Sequence, residues 1–167
     1  IGSAPYCTEL ARFLDARGYD VSTIAFQPHY PNVDAFKEWA GGRQDSEGLG
    51  GISIARVPVT TRGSGGLKTR VRNDLRYLWH VVGGAIRGRY KVDAIVAYVP
   101  SILTVFAAKL VKMRSGARIV VVVHDIESGL AASLKITKSD WLISLMRWTE
   151  RIGLNFADDI VVLTQGM

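Results

Sequence analysis

The residues in this sequence best suited to chemistry are His124 and Asp125, which directly follow the apolar run Ile119 to Val123. An imidazole gains or loses a proton near neutral pH, and a neighbouring carboxylate can orient it or accept a hydrogen bond. The pair is therefore a candidate for proton transfer or ligand binding. Two structural alternatives stay open, because His124 could cap the strand and Asp125 could be the N-cap of a following turn. Glu127 is expected to be a solvated loop residue.

A basic segment between Arg56 and Lys91 contains nine Lys or Arg residues against one acidic residue, Asp74. Such a segment can lie on an anionic membrane or contact a phosphate group. The cations of its glycine-rich first part are predicted to have this role: Arg62, Lys68, Arg70 and Arg72. In the helix predicted over about residues 67–87, the interleaved apolar residues are expected to pack into the core.

A glycine turn, Gly2 and Ser3, opens a helical pattern at the start of the chain. Backbone N–H groups at such a turn can approach a phosphate, and the N-terminus of the helix favours its negative charge. A tight turn with no ligand explains the same residues. The spacing is not that of the dinucleotide-binding fingerprint G-x-G-x-x-G.

Strand and helix patterns alternate along the chain and must position these residues. Strands are predicted over 20–26, 52–59, 92–100, 117–123 and 159–167. Helices are predicted from Pro5 to before Gly18, over 67–87, from Ser101 as N-cap to Gly116, and from Ser139 or Asp140 onward. The segment 27–51 is predicted to be a loop with one helical turn around Ala35 to Ala40.

Apolar strands that alternate with helices predict an α/β fold, a doubly wound Rossmann-like parallel sheet with helices on both faces, in one domain over residues 1–167. Ligands of such sheets bind beyond the carboxyl ends of the strands, where Pro100 and His124 are expected. Trp141 and Trp148, seven residues apart, are predicted to pack from one helix face. The glycine turn should follow a first, central strand, so the sequence is expected to be truncated at its start.

Composition restricts the class of protein. The chain has 167 residues, 48% of them hydrophobic, and a net charge of +6, which fits a globular domain with an anionic partner. The single cysteine, Cys7, excludes an internal disulfide and a metal site built on cysteines. The sequence contains no apolar run of the roughly 18 to 20 residues that span a bilayer and no signal-peptide pattern.

The order of these motifs resembles the N-terminal domain of family-4 glycosyltransferases of the GT-B fold, in particular bacterial enzymes that extend lipid-linked sugars for surface polysaccharides. The segments that carry the resemblance are CTELARFLDARGYDVSTIAFQPHYP, GISIARVPV, VDAIVAYVPSILTVFAAKL, ARIVVVVHDIESGLA and WTERIGLNFADDIVVLTQGM. Together they cover essentially the whole chain.

The resemblance implies that this chain is the acceptor-binding half of a retaining transferase. The donor-binding domain carries two glutamates separated by seven residues, a spacing that this sequence lacks, so that domain is expected to be absent and the fragment inactive alone. In the family, a histidine that follows the strand corresponding to residues 117–123 faces the donor sugar. The resemblance therefore assigns His124 and Asp125 to the catalytic site. The turn at Gly2 and Ser3 would lie against the donor phosphates.

The resemblance also implies partners and a location. By this resemblance, the co-substrate would be a nucleotide-sugar and the acceptor a lipid-linked saccharide; no metal or other cofactor is expected. Residues expected to contact the acceptor or the membrane are Tyr30, Arg62, Lys68, Arg70, Arg72, Pro100 and Ser101. The location would be cytoplasmic, peripheral on the inner face of the cell membrane.

Two other functions fit the sequence. The chain could be a non-catalytic Rossmann-like module that binds a phosphorylated ligand or a partner protein. Its charge could also serve nucleic-acid binding, but the basic segment has no recognition-helix pattern and no set of stacking aromatic residues, so no nucleic-acid partner is expected. The oligomeric state is left open.

Overall fold

The computed structural model describes residues 4–28, 47–59, 67–99, 101–133 and 139–162. Its helices are α1 (Ala4–Asp15), α2 (Leu67–Ile86), α3 (Leu103–Ser115), α4 (Glu127–Ser133) and α5 (Asp140–Leu154). Its strands are β1 (Ser22–Phe26), β2 (Glu47–Leu49), β3 (Ile52–Val57), β4 (Ala94–Val99), β5 (Arg118–Val123) and β6 (Asp159–Val162). The chain forms two compact units, Ile1–Tyr77 and Leu78–Met167, and the boundary between them falls within the residue range of α2.

The first unit contains a three-stranded sheet in the order β1-β3-β2. β1 and β3 are parallel, as predicted, with Ser22 opposite Ser53 and Phe26 opposite Val57. β2 is antiparallel to β3 and lies in the segment that was predicted to be a loop. The hydroxyl of Tyr77 on α2 donates a 3.2 Å hydrogen bond to the carbonyl of Ile24, which attaches this part of the helix to β1.

The second unit contains a parallel sheet in the order β4-β5-β6, with β5 in the centre. Ile119 and Val121 of β5 are completely buried, and Val105 of α3 packs with them in the core. The intervening Val120 and Val122 are half-buried, so the second face of β5 is less completely covered than the predicted sheet with helices on both faces would require. The observed architecture is α/β with parallel strands in open sheets, as the sequence predicted.

Local sequence signals predicted some of the helix ends correctly and others wrongly. Ser139 is the N-cap of α5, and its side chain accepts a hydrogen bond from Leu142 N, as predicted. Gly116 ends α3 in the left-handed conformation at φ 76°, which favours glycine. The prediction that Ser101 caps α3 is wrong, since the N-cap is Ile102, with no side-chain capping bond. Helix α4 has no counterpart among the predictions.

Apolar side chains of two helices, α2 and α5, are more exposed than the sequence predicted. Val71, Leu75 and Trp79 of α2 are 44%, 42% and 70% exposed, although Tyr77 of the same helix packs against Phe26. Trp141 and Trp148 of α5 are 72% and 60% exposed, so the prediction that they pack inward is wrong. Over the described parts of the chain, no helix has the length and apolarity needed to cross a bilayer.

The remaining predictions for these regions fall on residues outside the described ranges. They are the helical turn around residues 35–40 and the glycine turn at Gly2 and Ser3. Each stays a prediction.

Candidate functional site

The carboxyl ends of three strands meet at one edge of the second unit. Val123 of β5 is opposite Val99 of β4 on one side and Val162 of β6 on the other. Parallel pairing therefore brings the residues that follow β4 and β5 to the same edge, and His124 and Asp125 are the first two after β5. This is the edge at which open α/β sheets bind ligands.

The side chain of His124 stacks on the ring of Tyr98, with ring centroids 5.5 Å apart and the planes inclined by 28°. Tyr98 is opposite Val122 in the β4–β5 register, so side chains two residues apart along β5 reach the same face. The imidazole is half-buried, and its Nε2 atom is inaccessible to solvent. Tyr98 thus restricts the orientation of the ring.

Asp125 and Ile126 face solvent at this edge, the latter 45% exposed. The Asp125 carboxylate is therefore accessible to a ligand that approaches beyond the end of the sheet. Glu127 is the first residue of α4 and is half-buried, which contradicts the expectation of a solvated loop residue. The helix α4 begins two residues after Asp125, so the polypeptide leaves the strand through a short, defined turn.

The turn from β4 into α3 lies at the same edge and is held by Thr104. Its hydroxyl donates to the carbonyl of Ser101 at 2.7 Å and to that of Tyr98 at 3.3 Å, and its backbone N–H donates to Ser101 at 3.1 Å. Ser101 itself is buried, with 6% of its surface exposed. Only a small part of this residue is therefore accessible to an acceptor or a membrane.

A carboxylate from α5 fixes the first turn of α4. One carboxylate oxygen of Glu150 accepts a 2.8 Å hydrogen bond from Ser128 N, and the other accepts a bond from the Ser128 hydroxyl. Ser128 is 2% exposed, so this pairing is shielded from water. Negative charge at the N-terminus of a helix also interacts favourably with the helix dipole.

Sequence reasoning did not single out Glu150 or Ser128. Helical periodicity places Glu150 on the same side of α5 as Gly153, three residues later, but the sequence alone does not show that this side is buried. Gly153 is buried, and an acidic residue on a buried helix face requires hydrogen-bond donors. The sequence could not indicate which donors these would be.

The structure brings together only some of the predicted site residues. His124, Asp125 and Ser101 lie at the same edge of the second unit. Arg72 is an exposed residue of α2 in the first unit, and Lys68 and Arg70 are in the first turn of that helix. The others lie outside the described residues: Gly2, Ser3, Tyr30, Arg62 and Pro100.

The described residues contain no group of three or more His, Cys, Asp or Glu side chains arranged to hold a metal ion. A cavity of about 470 Å³ is present at the other end of β4, lined by Tyr90, Lys91 and Arg114 among others. It lies beside the residues that precede the strand, whereas His124 lies beyond the strand ends. The two sites are therefore separate.

A polar pair beyond the central strand of a parallel α/β sheet is the arrangement that the N-terminal domain of a GT-B transferase would have. Residues 2–167 match the model of the glycosyl transferase 4-like domain, and the chain belongs to this family.

One curated relative matches over 177 aligned residues at 24% identity, covering 99% of this chain. It is WcaI of Escherichia coli (strain K12), whose name describes a glycosyl transferase of colanic acid biosynthesis. The match covers 42% of the length of WcaI, so this chain spans less than half of its relative. No solved structure matches the chain.

Proposed function

We propose that this chain is the acceptor-binding half of a retaining glycosyltransferase, which transfers a sugar from a nucleotide-sugar to a lipid-linked saccharide. The observation that carries the proposal is the position of His124 and Asp125 beyond β5 in a chain whose residues 2–167 belong to the glycosyl transferase 4-like family. The name of the relative, in polysaccharide biosynthesis, supports a saccharide acceptor. The donor would bind to a second domain outside this chain.

In this proposal, the two polar residues have different tasks. Tyr98 holds the His124 ring at the edge of the sheet. There, either the imidazole or the backbone carbonyl of His124 contacts the donor sugar. Asp125 faces solvent and accepts a hydrogen bond from an acceptor hydroxyl. The acceptor hydroxyl attacks from the side on which the donor phosphate departs, so the protein contributes positioning and charge stabilisation.

Peripheral binding to the inner membrane surface would bring the enzyme to a lipid-linked acceptor. The exposed apolar residues Val71, Leu75 and Trp79 of α2 support this part of the proposal. Arg72 and Arg76 are interleaved with them, and Arg72 is exposed. An apolar stripe beside cations is typical of helices that lie at an anionic interface.

The test uses the purified full-length protein, a panel of radiolabelled nucleotide-sugars and a lipid extract from the source organism's membranes. Incorporation of label into lipid is expected with at least one donor, with the anomeric configuration of the donor retained in the product. His124→Ala should lower the rate by about 100-fold or more. His80→Ala, at a half-buried histidine of α2, is the matched control and should leave the rate close to that of the wild type.

Two results would contradict the proposal. A folded full-length protein that transfers no sugar from any donor would favour the non-catalytic binding module. A His124→Ala variant that keeps its fold and its full rate would remove His124 from the catalytic site, even if transfer itself occurs.

A further inference from the structure

The outer face of α5 presents large apolar side chains to solvent. Trp141 is 72% exposed, Leu145 38% and Trp148 60%. With 100° of rotation per residue, positions 141, 145 and 148 fall within about 60° of one another around the helix axis. These three residues form a continuous stripe, here called the α5 stripe, along two turns of the helix.

The opposite face of α5 is already occupied by contacts within the unit. Glu150 holds Ser128 of α4, and Gly153 packs closely against Ile102 and Phe106 at the beginning of α3. Around the helix axis, Glu150 is about 200° from Trp148 and Gly153 is about 80° from Leu145, so these contacts lie outside the α5 stripe. The fold of this unit therefore fixes the stripe on the outside.

The chemistry of the stripe and its flank favours a lipid surface as its occupant. Tryptophan is the residue type enriched at the boundary between lipid headgroups and acyl chains. Arg151, about 60° from Trp148 around the helix axis, borders the stripe, and Arg147, one turn earlier, lies on the same side about 100° from Trp148; both are exposed. Exposed cations beside an apolar stripe complement an anionic membrane, as does the net charge of +6 of the chain.

We infer that the α5 stripe inserts into the headgroup region of an anionic bilayer while Arg147 and Arg151 contact lipid phosphates. The inference deepens the proposed function and rests on its peripheral membrane association, since it adds a second contact to that of α2. The helix would lie along the surface, with Glu150 and Gly153 facing the protein. The bound enzyme would then be oriented through the same helix that braces the turn after His124 and Asp125.

The test measures co-sedimentation of the full-length protein with vesicles of phosphatidylcholine alone or of phosphatidylcholine and phosphatidylglycerol at a ratio of about 3:1. The wild type should bind the anionic vesicles, with a blue shift of its tryptophan emission. The double variant Trp141→Ser/Trp148→Ser should weaken this binding at least about tenfold. Met113→Ser, at a 70% exposed apolar residue of α3, is the matched control and should bind as the wild type does.

The charge contribution is tested with Arg147→Gln/Arg151→Gln. This variant should also bind anionic vesicles more weakly, and its remaining affinity should depend less on salt concentration. Arg12→Gln/Arg17→Gln removes the same charge from two exposed residues, one in α1 and one in the turn that follows it, and should have a smaller effect. If the two double variants lose vesicle binding to the same extent, only net charge matters. Arg147 and Arg151 would then have no specific role in membrane binding.

Variants of α2 separate this inference from the proposed function. If Leu75→Ser/Trp79→Ser abolishes vesicle binding while the α5 tryptophan variant binds fully, the α5 inference is wrong and peripheral association stands. Trp141→Ser/Trp148→Ser could instead leave vesicle binding unchanged and convert a dimer to a monomer in sedimentation velocity. A second copy of the chain would then cover the α5 stripe, and the inference of lipid binding would be wrong. Sugar transfer to a detergent-solubilised acceptor should survive the α5 substitutions, because the replaced side chains are exposed and do not belong to the His124–Asp125 pair.

Discussion

Glu150 of α5 accepts hydrogen bonds from both the backbone N–H and the hydroxyl of Ser128 in the first turn of α4. The pairing joins two helices that follow β5 and fixes the far end of the turn that begins at His124. Because Ser128 is 2% exposed, water cannot replace the carboxylate easily. The position of the candidate site therefore depends on a residue 26 positions further along the chain than His124.

Glu150→Ala should lower the free energy of unfolding by about 1–3 kcal/mol, because two buried donors of Ser128 lose their acceptor. The amide of Ser128 should also exchange its hydrogen faster. Urea denaturation and hydrogen exchange measure the two effects. Ser128→Ala keeps the hydrogen bond from the backbone N–H to Glu150, so it should lower the free energy of unfolding by less, about 1 kcal/mol. An alanine at position 150 that changes neither quantity would contradict the assigned role of the carboxylate.

Replacement of Tyr98 should alter the environment of the His124 ring, because the two rings are stacked 5.5 Å apart. Tyr98→Leu should move the His124 ring-proton resonances towards their random-coil shifts and cost about 0.5–1.5 kcal/mol of stability beyond the lost buried area. Tyr98→Phe retains the ring and should keep the shifts close to those of the wild type. Proton–carbon correlation spectra provide the measurement, and identical His124 shifts in all three proteins would refute the stacking.

Asp158 should make stability depend on pH. Its carboxylate bonds to Lys112 Nζ at 2.6 Å and to Ile119 N at 2.7 Å, and these two bonds lower the pKa of the Asp158 carboxyl below its usual range. A lowered pKa in the folded state means that the unfolded chain binds the proton more readily as acid is added. The stabilisation is therefore complete above the ordinary carboxyl pKa and is lost as pH falls through the lower, folded value.

Asp158→Asn should remove this part of the pH dependence. Urea midpoints measured from neutral to acidic pH should fall less steeply for the variant than for the wild type. Asp159→Asn is the matched control, since Asp159 pairs with Arg118 at a more exposed position. If Asp158→Asn leaves the acid limb of the stability curve unchanged, the carboxylate does not couple β5 to α3 in the way described.

Gly153→Ala should separate α5 from α3. A Cβ atom at position 153 would lie 2.6 Å from Ile102 Cδ1, and Ile102 is a buried core residue with little room to move. The expected cost is about 1–3 kcal/mol, measured by urea denaturation. Gly129→Ala is the control in α4, because its Cβ would be 3.9 Å from Ile126; it should be neutral or stabilise by up to about 1 kcal/mol. Equal stability of both variants would argue against close packing at Gly153.

The sequence alone located the candidate site because its signals are local. The apolar run 119–123 predicts a strand, and alternation with helices predicts parallel pairing, so the residue after the run must lie at the carboxyl edge. The register of β5 with β4 and β6 confirms that arrangement for His124. The family was likewise predicted from motif order and is confirmed by the match over residues 2–167.

Short elements were missed because their stability does not come from their own residues. The strand β2 has three residues and exists through pairing with β3, and α4 has seven residues and is held by the distant Glu150. Isolated segments of that length are not stable, since nucleation costs more than a few hydrogen bonds return. No local pattern could therefore indicate them.

Helical periodicity determined that Trp141 and Trp148 share one face of α5, but it could not determine which face is buried. That choice follows from the close approach of Gly153 to Ile102 and from the bond between Glu150 and Ser128, and both contacts join residues distant in the chain. The sequence therefore specified the parallel strands, the edge at which they end and the two polar residues placed there. Only tertiary packing decided which side of α5 faces solvent, because burial depends on the surfaces available to a helix as well as on its own pattern.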